Sequence, residues 1–263
     1  MIMDSFRKYG TGPIEVAVIH GGPGAPGGMA PVAKELSKDF GVIEPFQSVQ
    51  TVESQVEELH TILKRNVKLP VKLVGWSWGA MLSFIFSSRY PDYVQKLILI
   101  NSAVFEDKYS LEIMNTRINR MDIREKLEFL DLTKELNNPE SKNKNEIFAR
   151  LGELILKADT FQPIKYCDDV IEYQYDIYRS VWDDARKIRK SGDMLELGKK
   201  ISCPVVAIHG DYDPHPAEGI KKPLLKNLKD FKFVLIEKCG HYPWFEKNVK
   251  EKFYSILRQE LES

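Results

Sequence analysis

The chain has 263 residues, enough for one large α/β domain or for a core domain with a modest insertion. Its 38 Lys+Arg balance its 38 Asp+Glu, so nothing in the overall charge points to nucleic acid or to an anionic membrane surface, and neither partner is expected. The apolar fraction, 43%, is that of a globular protein with a sizeable core. Met1-Ile2-Met3-Asp4-Ser5-Phe6 lacks the basic-then-apolar layout of a signal peptide, and no apolar run approaches the length of a membrane span. Cys167, Cys203 and Cys239 are an odd number in no metal-like spacing. They read as small buried apolar side chains in a reducing compartment, so a cytoplasmic protein is expected. Cys203 and Cys239 each lie near a predicted strand and are candidate neighbours in space.

In chain order, the β-branched run Ile14 to Ile19 reads as a buried strand. His20-Gly21-Gly22-Pro23-Gly24-Ala25-Pro26-Gly27-Gly28 follows, a loop that cannot be helical and invites close backbone approach. Ala30 to Lys38 has helical spacing, and Phe40 to Glu44 is a second short strand. After the polar connection 45–50, Val52, Val56, Leu59 and Leu63 mark one face of a helix from Thr51 to Lys64. Val71, Leu73 and Val74 lead a strand into Gly75-Trp76-Ser77-Trp78-Gly79, and the apolar run Ala80 to Phe86 is a buried helix. Tyr90-Pro91 stops it, and Lys96 to Ile100 is the next strand. The order βαβαβαβ argues for a mostly parallel sheet with helices on both faces.

From Val104 to Lys199 no strand is convincing, and charged segments show helical periodicity around a polar loop at Asn137 to Asn145. This reads as a helical cap, 104–199, inserted into a core made of 1–103 and 200–263. Placed at the C-terminal ends of the strands, it would roof the edge where Ser77 emerges. Tyr166, Tyr173, Tyr175, Tyr178 and Trp182 are dense in aromatic rings, as cap packing or a substrate pocket would each require. The sheet resumes at Cys203 to Ile208, followed by a helix near Lys221 to Lys229 and a strand at Phe233 to Glu237. A C-terminal amphipathic helix runs to Leu261.

Strand, sharp turn with Ser77, then helix is the arrangement of a nucleophile elbow. Gly75 and Gly79 remove Cβ atoms that would collide, Ser77 takes a strained backbone, and the Trp78 amide heads the helix. A serine hydroxyl needs a base beside it and an acid behind the base. His241, after the last strand and preceded by Gly240, is the expected base. His60 falls in an amphipathic helix and reads as solvated, and His20 and His209 end strands, where bonds to backbone are expected. His215 lies one strand too early. Asp211 and Asp213 share a late loop; Asp213 is favoured as the acid because Asp211 directly follows Gly210 and suits an Asx-type turn. The oxyanion hole would combine the amides of Trp78 and Gly22. No metal cluster and no cofactor are expected.

On these residues the chain resembles the α/β-hydrolase fold over residues 13 to 103 and 200 to 261. The carriers are His20-Gly21-Gly22-Pro23-Gly24, Gly75-Trp76-Ser77-Trp78-Gly79, Gly210-Asp211-Tyr212-Asp213 and Gly240-His241. The glycine-rich string and the tryptophan after the serine are similar to proline iminopeptidases. That resemblance implies release of an N-terminal proline, with cap carboxylates binding the free amine. Three features depart from it. Few residues precede the first core strand, so the leading antiparallel hairpin is reduced or missing. Glu44-Pro45-Phe46-Gln47-Ser48-Val49-Gln50 replaces the usual Asp-x-x-Gly-x-Gly-x-Ser string, and no cap motif aligns. The expected function is a serine hydrolase of a small-molecule or short-peptide substrate, an ester or amide, acting through an acyl-enzyme. An iminopeptidase is its specific alternative. A ligand-binding protein with little turnover, or lyase or thioester chemistry on the same scaffold, stays open. Halide and epoxide cleavage is disfavoured by a serine at position 77.

Overall fold

The structure is a computed structural model and describes residues 5–165 and 169–263. Tyr166 and Cys167, singled out above, lie outside the described residues. The strands are β1 (Phe6–Tyr9), β2 (Ile14–Ile19), β3 (Gly41–Pro45), β4 (Val71–Trp76), β5 (Val94–Ile100), β6 (Val205–Gly210) and β7 (Phe231–Ile236). The helices are α1 (Ala30–Leu36), α2 (Val52–Asn66), α3 (Trp78–Arg89), α4 (Leu111–Arg120), α5 (Ile123–Asn137), α6 (Lys144–Asp159), α7 (Tyr175–Ser191), α8 (Asp193–Gly198), α9 (Glu218–Asn227) and α10 (Lys250–Glu262).

The strands form one sheet in the order β1-β3-β2-β4-β5-β6-β7. Every neighbouring pair from β3 to β7 is parallel; β1 runs antiparallel to β3, from Phe6 opposite Pro45 to Tyr9 opposite Val42. Among the described residues one four-residue strand, β1, precedes β2. With Arg7 and Lys8 at its centre, β1 is too short and too polar to register as a periodic run.

Alternate residues of each strand feed opposite faces. Val16, Val18, Val42, Val74, Ile98, Ile100, Val206 and Ile208 pack with residues of α1 and α10. Ala17, Ile19, Ile43, Leu73, Leu97, Leu99, Val205 and Ala207 pack with α2, α3 and α9. Because both faces are covered, the central strands are apolar at nearly every position. The helix α3 is buried from Trp78 to Ser88, which accounts for its apolar residues all round. Cys203 and Cys239 are free thiols in the two different layers, so the sheet separates them and the expected proximity fails.

Residues 104–199 lie between β5 and β6 and, where described, contain α4 to α8 and no strand. Their own cores are small: Met121, Phe129, Leu154 and Ala158 in one group, and Leu136, Phe148 and Tyr175 in another. A capping box starts α5, with the Asp122 carboxylate accepting from Arg124 and Glu125 amides while the Glu125 side chain accepts from the Asp122 amide. Gly192, left-handed at φ 84°, ends α7.

Candidate active site

Ser77 sits between β4 and α3 with φ 54° and ψ −116°, the strained backbone expected of a serine pushed out of a tight turn. The turn is possible because two side chains are missing. A Cβ on Gly75 would strike the Gly79 carbonyl, and one on Gly79 would strike the Ile19 and His20 carbonyls. The Ser77 amide donates to the Ile100 carbonyl at 3.0 Å, fastening the turn to β5. Trp78 opens α3 and is fully buried, its indole N–H donating to Gln55 at 2.9 Å. Trp76, on the other side, donates its indole N–H to the His241 carbonyl at 2.9 Å, and its ring lies 5.3 Å from the imidazole.

Asp213 follows β6 and is buried between two histidines. Its Oδ2 lies 2.7 Å from His241 Nδ1, and its Oδ1 lies 2.8 Å from His215 Nδ1. Oδ1 also accepts the His215 amide at 2.9 Å, an Asx-type turn that fixes the carboxylate's rotamer. Burial alone would raise the Asp213 carboxyl, but the charges and hydrogen bonds of His241 and His215 outweigh it and hold it well below the usual carboxylate range. The carboxylate therefore stays ionised. Burial pushes His215 down to about 4, against the pull of Asp213, so its imidazole is neutral at physiological pH. The two imidazoles stack at 4.8 Å between ring centres. Asp213, His215 and His241 bring three potential metal-ligand atoms within 4.8 Å of one another, yet both Nδ1 atoms are already committed to Asp213.

Asp211 accepts from the Cys239 amide at 3.3 Å and takes no part in this contact. His20 and His209 make the expected bonds to backbone, Nδ1 to the Gly21 carbonyl at 3.0 Å and Nε2 to the His215 carbonyl at 2.8 Å. Burial lowers both, His20 to about 4. His60 corrects the sequence reading. It is half-buried, stacked on Tyr90 at 4.2 Å, with Nε2 3.2 Å from the Tyr93 hydroxyl. The contact of His215 with Asp213 does not follow from its position in the chain, which bears only on whether it could be the base. The signal was the i, i+2 spacing across Pro214, which an Asx turn brings together.

Ser77, Gly22, His215 and His241 line one cavity of about 1200 Å³ between the sheet edge and the inserted helices. Tyr173, Tyr175, Tyr178 and Trp182 line its far side, so these rings serve both packing and the cavity wall. Gly22 is left-handed, at φ 42°. Two loops tie the insertion down. The Gln174 and Ile171 amides donate to the Gly24 and Pro26 carbonyls at 2.8 and 2.9 Å. On the other side the His241 amide donates to the Asp159 carbonyl at 2.8 Å. Buried Glu246 accepts from the amides of Gly240, Phe161 and Gln162 at 2.9, 2.7 and 2.7 Å. Among the described residues no hydrogen bond joins the Ser77 hydroxyl to His241, a contact that commonly tightens only around substrate.

A parallel sheet with a serine elbow after β4, an acid after β6 and a histidine after β7 defines a class. The model of the α/β hydrolase fold matches residues 16–248, and the chain belongs to that family; it is an α/β-hydrolase enzyme. The chain is 23% identical over 270 residues to a proline iminopeptidase of Lactobacillus crispatus (strain ST1), covering 94% of this chain and 89% of that one. It is 22% identical over 207 residues to a pimeloyl-[acyl-carrier protein] methyl ester esterase of Neisseria meningitidis serogroup B, covering 75% and 71%. Its fold matches that of 2-hydroxy-6-oxo-6-phenylhexa-2,4-dienoate hydrolase from Rhodococcus sp. strain RHA1 with a TM-score of 0.63 at 17% identity, over 95% and 91% of the two chains. Among the described residues no helix is long and apolar enough to cross a membrane.

Proposed function

We propose that this enzyme hydrolyses small esters through an acyl-enzyme on Ser77, with His241 as base and Asp213 as its orienting acid. The observation that carries the reading is the 2.7 Å contact between Asp213 and His241 Nδ1, with His241 and the strained Ser77 on one cavity. His241 Nε2 takes the Ser77 proton as Oγ bonds to the substrate carbonyl carbon. The oxyanion is held by the Trp78 and Gly22 amides, and His241 returns the proton to the leaving group. Water, activated by the same imidazole, then releases the acid and restores Ser77. Residues 104–199 act as a cap that walls the substrate in, over a core of 1–103 and 200–263. The reaction is set in the cytoplasm, with Cys203 and Cys239 as free thiols of a reducing compartment.

Aminopeptidase action is the second reading, favoured by the iminopeptidase relatives that align over nearly the whole chain. It requires an unpaired carboxylate in the cavity to hold the substrate's free amine. Of the described acids lining the cavity, Asp169 is paired with Lys34 at 2.7 Å and Glu153 with Arg150, leaving Asp183 without an ion pair. Arg179 and Arg186 line the same wall with no ion pair among the described residues; they outnumber Asp183 and disfavour a cationic amine, which favours the esterase reading. Initial rates on p-nitrophenyl acetate and butyrate, beside proline, alanine and leucine nitroanilides with free amines, test it with Ser77→Ala as control. Ester turnover abolished in Ser77→Ala is expected. Preferred cleavage of proline nitroanilide would replace the esterase reading by the peptidase one.

A further inference from the structure

The cavity wall opposite the sheet is built largely by α7, which turns one face to it through Tyr178, Arg179, Trp182, Asp183, Arg186 and Arg189. Arg189 is spent on Asp107 at 2.9 Å. Arg179 and Arg186 have no ion-pair partner among the described residues. Asp183, within one turn of each, offsets a single charge. From α4, Arg117 reaches the same cavity. Its Nε and Nη2 hold the fully buried Asp159 at 2.6 to 3.1 Å, while Nη1 makes no hydrogen bond to any described residue. These groups form one electrostatic patch. Tyr178 lines the same wall, and burial raises its phenol while the charges of Arg117 and Arg186 lower it. Arg117 holds Asp159, whose carbonyl accepts the His241 amide at 2.8 Å, which sets this guanidinium near the reacting end of the cavity.

A cavity of about 1200 Å³ is large for an acetyl or prolyl group alone and has room for a second functional group at a distance from Ser77. Guanidinium groups bind carboxylate and phosphate oxygens with paired N–H donors, and Arg179 and Arg186 present theirs to the cavity from solvent-exposed positions. We infer that the Arg179/Arg186 face of α7, with Nη1 of Arg117, is an anion subsite, and that the substrate is an ester bearing a carboxylate or phosphate remote from its scissile carbonyl. The inference rests on Ser77 as the nucleophile only for the position of the ester, not for the binding of the anion.

The test compares p-nitrophenyl hydrogen adipate with its methyl ester, equal in reach but neutral, and with p-nitrophenyl 4-phosphonobutanoate. The value of kcat/KM for the free acid should exceed that for the neutral diester by about ten-fold or more at low salt, with the difference carried by KM. The advantage shrinks as salt rises from about 20 to about 500 mM. It is lost in Arg179→Gln/Arg186→Gln and largely kept in Arg186→Lys. Faster turnover of the phosphonate than of the carboxylate assigns the site to phosphate. A ratio near one in the wild type, or a preference that survives the double substitution, overturns the inference. Calorimetric titration of Ser77→Ala with monomethyl adipate and dimethyl adipate separates the two claims, because neither ligand need be hydrolysed. Selective binding of the anion, abolished by the double substitution, upholds the subsite even if Ser77 proves not to be the nucleophile. Equal binding of both ligands, or of neither, overturns it.

Discussion

At the residue scale, the arrangement around Asp213 governs what each side chain can do. One carboxylate serves two imidazoles, and only His241 adjoins Trp76 of the serine turn. Asp213→Asn keeps the volume but replaces the acceptor facing His241 by an amide, and kcat is expected to fall about 10³- to 10⁴-fold with KM little changed. His215→Phe keeps a ring and removes one of the two N–H groups that hold Oδ1, leaving the backbone amide. A drop of about ten-fold in kcat, rather than a rise in KM, is expected, with a stability loss of about 1–3 kcal/mol from the under-bonded carboxylate. Thermal melts beside steady-state kinetics read both effects. Far from the serine, Glu44 is fully buried, accepting from the Tyr9 hydroxyl at 2.8 Å and the Met29 amide at 3.0 Å. Burial, against those hydrogen bonds, raises its carboxyl to about 7 from 4.5. The folded state thus binds the proton more tightly than the unfolded one, and the associated stability is fully present below about pH 4.5 and is lost as pH rises through about 7. Glu44→Gln should remove roughly 3 kcal/mol of that pH dependence, seen as a flatter plot of melting temperature against pH between about 5 and 8. The placement of Ser77 after β4, and of Asp213 and His241 in contact after β6 and β7, was legible because chain order and turn chemistry constrain those loops. The shared carboxylate was not, since a contact across Pro214 leaves no periodic trace.

At the element scale, the strands and helices of the sheet layers were readable from period-2 and period-3.6 patterns, with ends shifted by a few residues. The helix α9 begins at Glu218 rather than Lys221, and β7 at Phe231 rather than Phe233. What the pattern cannot carry is the pairing of non-periodic segments. The stretch 159–164 runs against 240–247 as a short ribbon, with Ile164 donating to the Phe245 carbonyl at 2.8 Å and Lys247 to Gln162 at 2.9 Å. Glu246 stitches its centre. Glu246→Ala would leave the buried Gly240 amide and the part-buried Phe161 and Gln162 amides without this acceptor, and a loss of about 2 kcal/mol is expected together with a lower kcat, because the His241 loop hangs from the same ribbon. The glycine loop has a similar purpose. Gly24 lies at φ 85°, where a Cβ would strike the Gln174 carbonyl, so the loop's close approach is to the inserted segment as well as to Ser77.

For the whole molecule, stability is uneven by construction. Both sheet faces carry broad apolar layers, whereas the inserted helices close over small groups of buried side chains. Amides of α5 and α6 should therefore exchange through openings of lower free energy than those of β4 and β5, measurable by hydrogen exchange under native conditions. The insertion's helical nature and position were legible from its charge and its broken rhythm. Its docking was not, because it depends on backbone hydrogen bonds to two distant loops. Covalent labelling tests the proposed role of Ser77 as the nucleophile most directly. Treated with an alkyl fluorophosphonate, the protein should gain one adduct, mapped by peptide mass spectrometry to Ser77 and formed at least about 10²-fold more slowly in Asp213→Asn and His241→Ala. An adduct at another residue, or none on protein that remains folded, would contradict it.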